Sequence, residues 1–157
     1  MIKIKEYNIR VYGILINTKG EILLSKESKG NHHFTKFPGG GHELGEGIID
    51  CLKREFKEEL DIEILVGDHL YTTDYFQLSA FDENQQLISI YYWVNSNASD
   101  FIKDGQSSTD PESDPQDHFL WRKLQDLNPE ELTYPIDKKV CSMILEILNA
   151  KKGLLKS

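Results

Sequence analysis

Glu55, Glu58 and Glu59 recur at spacings of three and four residues, which on an α-helix places them within an arc of about 100 degrees. Three carboxylates on one face repel one another, and like charges at i,i+3 and i,i+4 weaken the helix that carries them. A bound cation removes that conflict. The donors are all oxygen, with no His or Cys among them, and such a set selects hard ions, Mg2+ or Mn2+ ahead of Zn2+. Upstream, Pro38 is followed by Gly39, Gly40 and Gly41. This is read as a turn that lets backbone approach a ligand ahead of a helix N-terminus whose free N–H groups favour anions, so Gly40 and Gly41 are candidate substrate contacts. Lys36 is the candidate side chain for a substrate phosphate, with Arg10, Lys26 and Arg122 as further cations. Ions held there would neutralise charge developing on a phosphate and acidify an attacking water. A neighbouring carboxylate such as Glu58 or Glu59 would accept its proton.

From Gly40 to Ile62 the sequence reads GGHELGEGIIDCLKREFKEELDI. It resembles the signature of the Nudix family, G-x5-E-x7-R-E-U-x-E-E-x-G-U with U apolar. Gly40, Glu46, Arg54, Glu55, Phe56, Glu58, Glu59 and Ile62 fall in register. Asp61 replaces the last glycine, and Asp tolerates the left-handed conformation expected at a helix end better than most residues. Chance agreement at the specified polar and glycine positions is on the order of 1 in 100,000 for a chain this size.

The resemblance implies an α/β (α+β) fold, a Nudix-type mixed β-sheet sandwiched between α-helices. It also implies Mg2+-dependent hydrolysis of a diphosphate linkage in a nucleoside diphosphate derivative: a nucleoside triphosphate, a dinucleoside polyphosphate or a nucleotide sugar. By the same resemblance the metal ligands are Glu55, Glu58, Glu59 and the backbone carbonyl of Gly39. Arg54 pairs with Glu46 to steer Glu55 and joins the catalytic set in that orienting role. A further acid near a downstream Trp is implied; Asp117, four residues before Trp121, is the candidate, with Asp114, Glu112 and Glu83 as alternatives. Gln77 and Leu78 stand where two subfamily markers would fall, so the sequence does not choose the substrate. One rival reading is an isoprenoid diphosphate isomerase, whose Cys and Glu lie outside this pattern. Another is a non-catalytic nucleotide-sensing module, which loss of a box glutamate would have marked; all three are present.

The elements that must position these groups follow from periodicity. Ile49, Leu52, Phe56 and Leu60 recur at helical spacing and predict an amphipathic helix over 48–60, anchored by that stripe. Residues 9–16 and 21–25 read as a hairpin about the turn Asn17-Thr18-Lys19-Gly20, followed by a polar loop over 26–33 and a short extended piece over 34–37. Strands are expected over 62–66, 69–81 and 87–95, the last two forming a second hairpin about 82–85, and one more over 118–122. Residues 96–116, rich in Asp, Ser, Asn, Gly and Pro, read as a long mobile loop. Pro135 opens a final helix whose Ile136, Val140, Met143, Ile144, Ile147 and Leu148 share a face, and Gly153 is expected to end it.

With no repeat or linker, the 157 residues predict a single domain over 1–157. The charge of -8, from 26 acidic and 18 basic residues, disfavours a nucleic-acid partner, while metal ions can still admit a small nucleotide. No apolar run approaches the ~18 residues of a membrane span and residues 1–10 build no signal-peptide core, so a cytoplasmic location without a membrane partner is expected. The resemblance leaves room for a homodimer. Cys51 and Cys141 read as buried thiols, the five histidines as surface or hydrogen-bonded groups, and Tyr71, Tyr75, Tyr91, Tyr92 and Trp93 as strand core, one of them free to stack on a base.

Overall fold

The computed structural model describes residues 3–156, with side chains as far as residue 154. Residues 1, 2 and 157 of the expected domain lie outside the described residues. The elements run β1 (Glu6–Leu15), β2 (Glu21–Lys29), β3 (His32–Lys36), β4 (Gly39–Gly41), α1 (Ile48–Leu60), β5 (Leu65–Thr72), β6 (Gln85–Asn95), β7 (His118–Lys123) and α2 (Pro135–Lys156).

The expected α+β sandwich is present, with its strands divided between two sheets. The first has the order β4-β1-β6-β5 and is mixed, since β1 and β6 run parallel while β4 and β5 pair antiparallel; the second is antiparallel, β3-β2-β7. Both sheets lie between the helices. Val11, Leu15, Val94, Leu23 and Phe119 pack on Cys51, Leu52, Phe56 and Leu60 of α1. Tyr12, Ile14, Tyr91, Ile22 and Leu24 pack on Ile136, Val140, Cys141 and Ile144 of α2. Strand alternation delivers neighbours to opposite cores, as β2 shows with Leu23 facing α1 while Ile22 and Leu24 face α2.

Several expectations need correction. The turn at 17–20 is real: Asn17 Oδ1 accepts from the N–H groups of Lys19 and Glu21, and Gly20 takes φ 75°. Yet β1 and β2 share only the bridge Ile16–Ile22 before diverging into different sheets. Each is apolar on both faces and finds more partners apart than a hairpin would supply. The polar stretch 26–33 is no loop, because β2 continues to Lys29 and turns through Gly30 (φ 60°) into β3; the ladder is made by backbone groups, which polar side chains do not prevent from pairing. The glycine triplet is not a turn but the edge strand β4, paired with Arg10, Val11 and Tyr12, and a loop separates it from α1.

On α1, Ile49 is 44% exposed and Cys51 takes its place in the buried stripe. The strand expected over 69–81 ends at Thr72, leaving 73–84 irregular apart from the bridge Leu78–Gln86, so the β5–β6 hairpin has a long connection. Helix α2 passes through Gly153 to Lys156, since one interior glycine costs only about 1 kcal/mol. The segment 96–116 is not free chain. Gly105 donates to Phe119 O, Phe119 to Gln106 O, Ser108 to Asp117 O and Thr109 to Glu59 O, which straps it over β7 and the end of α1.

Candidate active site

Arg54, at the middle of α1, is the hub of the acidic face. Its Nε and Nη2 donate to the two carboxylate oxygens of Glu46 at 2.9 and 2.7 Å, Nη2 also donates to the Gly41 carbonyl at 2.9 Å, and Nη1 reaches Glu55 at 3.0 Å and Glu58 at 3.2 Å. The two-pronged pair with Glu46 fixes the loop between β4 and α1, and the hydrogen bonds from Arg54 hold the Glu46 carboxyl down at about 2. The orienting pair implied by the motif is therefore present. The helix ends as the departure at position 61 requires: Asp61 takes φ 53°, ψ 39° and its N–H donates to Lys57 O.

Glu55 lies under β4. A Cβ on Gly40 would stand 2.4 Å from the Glu55 carboxyl carbon, so only glycine leaves room for that carboxylate. Gly39, at φ 145°, could not carry a side chain without striking the Val11 carbonyl. Burial raises the affinity of Glu55 for a proton, and Arg54 opposes it. One turn on, the Glu59 carboxyl is pushed up to about 8, first by burial, against the pull of Lys36 and with repulsion from Glu27, Glu55 and Asp110.

Lys36, 3% exposed, donates to the Gly39 carbonyl at 3.0 Å and pairs with Glu27 at 2.7 Å. Burial would strip its proton, but Glu27 and Glu59 more than compensate and keep it charged. Lys36 thus stands as an internal cation beside the glutamates and on the lining of an adjoining cleft, its ammonium shared between Glu27 and backbone carbonyls.

The three box glutamates do not form a ready-made cage. Among the described residues no three His, Cys, Asp or Glu side chains stand close enough to hold an ion as they are. Glu58, 45% exposed, and Glu55 turn to Arg54, whereas Glu59 faces Lys36 and Glu27, because like charges on one helix face spread onto the available cations.

Asp117 lines the same cleft beside this cluster, near enough for the charge of Glu27 to reach it. Its Oδ1 accepts from the Ser28 N–H at 2.9 Å and it is 9% exposed. The downstream acid whose charge reaches Glu59 is Asp110, delivered by Thr109, whose N–H and hydroxyl donate at 2.8 Å to the carbonyls of Glu59 and Glu58. Asp110 and Glu27 are the residues sequence reasoning missed. Extending β2 past Ser25 would have exposed Glu27, two residues on and hydrogen-bonded to it.

A cleft of about 1010 Å3 adjoins this cluster at Glu27, Lys36, Asp110 and Asp117. Its floor is the α2-side face of the first sheet: Asn8, Arg10 and Tyr12 of β1 beside Leu87, Ser89 and Tyr91 of β6. Phe34, Phe81 and Tyr134 form an aromatic wall with centroids 5.5 to 6.4 Å apart. At the α2 end, Asp137 accepts from the Tyr91 hydroxyl at 2.5 Å, and burial pushes its carboxyl up to about 6.

A family model described as NUDIX domain matches residues 6–142. The chain belongs to the Nudix family. That match spans both sheets, α1 and the cleft floor, and it makes the chain a Nudix hydrolase, of the class that cleaves diphosphate linkages. Among solved structures, this Nudix chain is similar to the E. coli ORF135 protein (TM-score 0.67, 18% identity, 94% of each chain covered). It is similar also to the MutT protein from Methanosarcina mazei Go1 (0.67, 23%, 92% of this chain and 96% of that one) and to a NUDIX hydrolase from Nitrosomonas europaea (0.64, 18%, 88% of each). At such identities the likeness bears on fold. No curated protein matches the sequence. No helix among the described residues is long and apolar enough to cross a membrane.

Proposed function

We propose that this Nudix hydrolase, acting as a single domain over 1–157, cleaves the diphosphate linkage of a nucleoside diphosphate derivative by attack of water on phosphorus, with Mg2+ or Mn2+ as cofactor. One observation carries the reading. Glu55 and Glu59, on successive turns of α1, adjoin the Gly39 carbonyl and an internal cation at the end of a cleft large enough for a nucleotide.

The donor chemistry fits a hard divalent ion. All candidate ligands are oxygens, the space left by Gly40 cradles the Glu55 carboxylate, and the Lys36 ammonium already marks a cation position at the Gly39 carbonyl beside Glu59. Glu55, Glu59 and the Gly39 carbonyl would hold the ion, with Glu58 joining by rotating away from Arg54. When bound, the ion supplies charge neutralisation on the diphosphate and a more acidic water.

The chain's own residues do the rest. Arg54 and Glu46 lock the loop and hold Glu55 in place. Among the described residues the Glu59 side chain makes no hydrogen bond or ion pair, whereas Asp117 accepts from Ser28 and Glu58 from Arg54; this supports Glu59, through the oxygen left off the ion, as the group that takes the proton of the attacking water, with the charge of Asp110 reaching it. The aromatic wall of Phe34, Phe81 and Tyr134 offers flat apolar surface for a base and supports a nucleotide over a simple diphosphate. Two free, buried cysteines suit a reducing, cytoplasmic compartment.

The test is a panel of nucleoside triphosphates, dinucleoside polyphosphates and nucleotide sugars with Mg2+ or Mn2+ in 18O-labelled water. The reading expects metal-dependent release of a phosphate product carrying the label on phosphorus. Saturable binding without turnover across the panel would instead support a nucleotide sensor.

A further inference from the structure

Arg10 sits mid-strand on β1 with its side chain on the cleft floor. Its Nε donates to the Tyr12 hydroxyl at 2.7 Å, and its guanidinium carbon lies 5.8 Å from the centre of the Tyr12 ring. Its two terminal nitrogens make no hydrogen bond or ion pair among the described residues, although Glu27 and Glu55 are near enough for their charges to reach it. No buried side-chain nitrogen or oxygen among the described residues lacks a partner, so those terminal nitrogens border open space, and the space they border is the cleft. Of the other cations considered from the sequence, Arg122 is paired with Glu131 at 2.6 Å and Lys36 with Glu27 at 2.7 Å, and Lys26 is not among the cleft lining.

Gly41 explains why the fork stays open. In the β1–β4 ladder Gly41 stands directly opposite Arg10, and residues opposed across a ladder share a face. A Cβ there would lie 3.6 Å from Arg10 Nη1, in ordinary contact. Backbone conformation does not demand glycine at 41, as it does at Gly39. A longer side chain at 41 would start in contact with Nη1, on the face the two residues share.

We infer that Arg10, uncovered by Gly41 and braced by Tyr12, is an anion fork that grips a phosphoryl group of the substrate's diphosphate arm through its two free nitrogens. A planar guanidinium matches two oxygens of a phosphate, which an ammonium cannot do. The cleft also carries Glu27, Asp110, Glu112, Asp114 and Asp117, with Lys36 paired to Glu27 and Lys29 over the Phe81 ring on the wall, so on the floor itself the Arg10 fork is what favours an anion. The identity of the anion rests on the function proposed above; the existence of the fork does not.

The experiment uses the full chain in EDTA, titrated with inorganic pyrophosphate and followed by the Arg10 Nε–H signal in 15N NMR and by calorimetry, with malonate as a dicarboxylate control. Wild type is expected to show a saturable Arg10 shift with pyrophosphate and at least a tenfold weaker response to malonate. Arg10→Lys, which keeps the charge and loses the fork, should weaken pyrophosphate binding on the order of tenfold. In Gly41→Leu the Arg10 signal should persist but no longer move. An unshifted Arg10 in wild type, or unchanged affinity in Arg10→Lys, overturns the fork, as does equal binding of malonate for the phosphoryl assignment. If Arg10→Lys does not fold, a Gly41→Leu chain whose Arg10 signal still moves overturns it by itself. Pyrophosphate bound at Arg10 in a protein that hydrolyses nothing would instead remove the proposed function and leave the fork standing.

Discussion

Replacing Glu59 by Gln should change how the metal-free protein responds to pH. The carboxyl is pushed up to about 8 from an ordinary value of 4.5, chiefly because folding buries it. A carboxyl raised in this way is held protonated by the folded state while the unfolded chain releases its proton. The stability it contributes is complete below about pH 4.5 and is lost as pH rises through about 8. Each pH unit inside that window costs about 1.4 kcal/mol. Between about pH 5 and pH 8 the single group therefore removes about 3 kcal/mol, after allowing for partial titration at both ends. Gln has the shape of the protonated form and no such loss. Urea unfolding in EDTA, run at half-unit steps across that range, should show wild-type stability falling below that of Glu59→Gln by about 3 kcal/mol more at pH 8 than at pH 5. Adding Mg2+ at pH 8 should close the gap, because an ion favours ionised Glu59 and stabilises only the folded wild type. Parallel pH profiles for the two proteins would refute the buried, repelled Glu59 on which the site is built.

Gly40→Ala places a methyl group 2.4 Å from the Glu55 carboxyl carbon; steady-state kinetics should show turnover falling on the order of a hundredfold, with the circular-dichroism spectrum retained. Glu46→Gln removes the charged partner of Arg54, so turnover should drop on the order of tenfold with KM little changed, since Glu55 loses its orientation and no substrate contact is lost. Asp61→Gly relieves a left-handed residue at the helix end and should raise stability by about 0.5–1 kcal/mol in thermal melting. The ion pair Lys57–Asp61 lost with it is exposed and worth little, and activity should be unchanged.

What the sequence disclosed was local. The bounds of α1, its left-handed end at Asp61, the Arg54–Glu46 pair and the strand at β7 follow from spacing and motif, because each is settled by residues within a turn or two of one another. What it concealed was pairing at a distance. Nothing near residue 16 says that β1 will leave β2 to run parallel to β6, some seventy residues on. Glu27 lies in a stretch whose polar composition predicts a loop, and its place beside Lys36 depends on the β2–β3 ladder. Asp110 carries no such signal: proximity to Trp121 is a sequence measure that points to Asp117, whereas the anchoring of Thr109 on the end of α1 is a tertiary one. By sequence Arg10 is one of several cations that could meet a phosphate, and only the β1–β4 ladder, which sets Gly41 opposite it, singles it out.

The most direct measurement is anomalous diffraction from crystals soaked in Mn2+ with a non-cleavable nucleotide. The account predicts a peak bonded to Glu55, Glu59 and the Gly39 carbonyl, with Glu58 swung from Arg54 toward it. A nucleotide seated in the cleft with no ion on these oxygens, or with the ion held elsewhere, would contradict it.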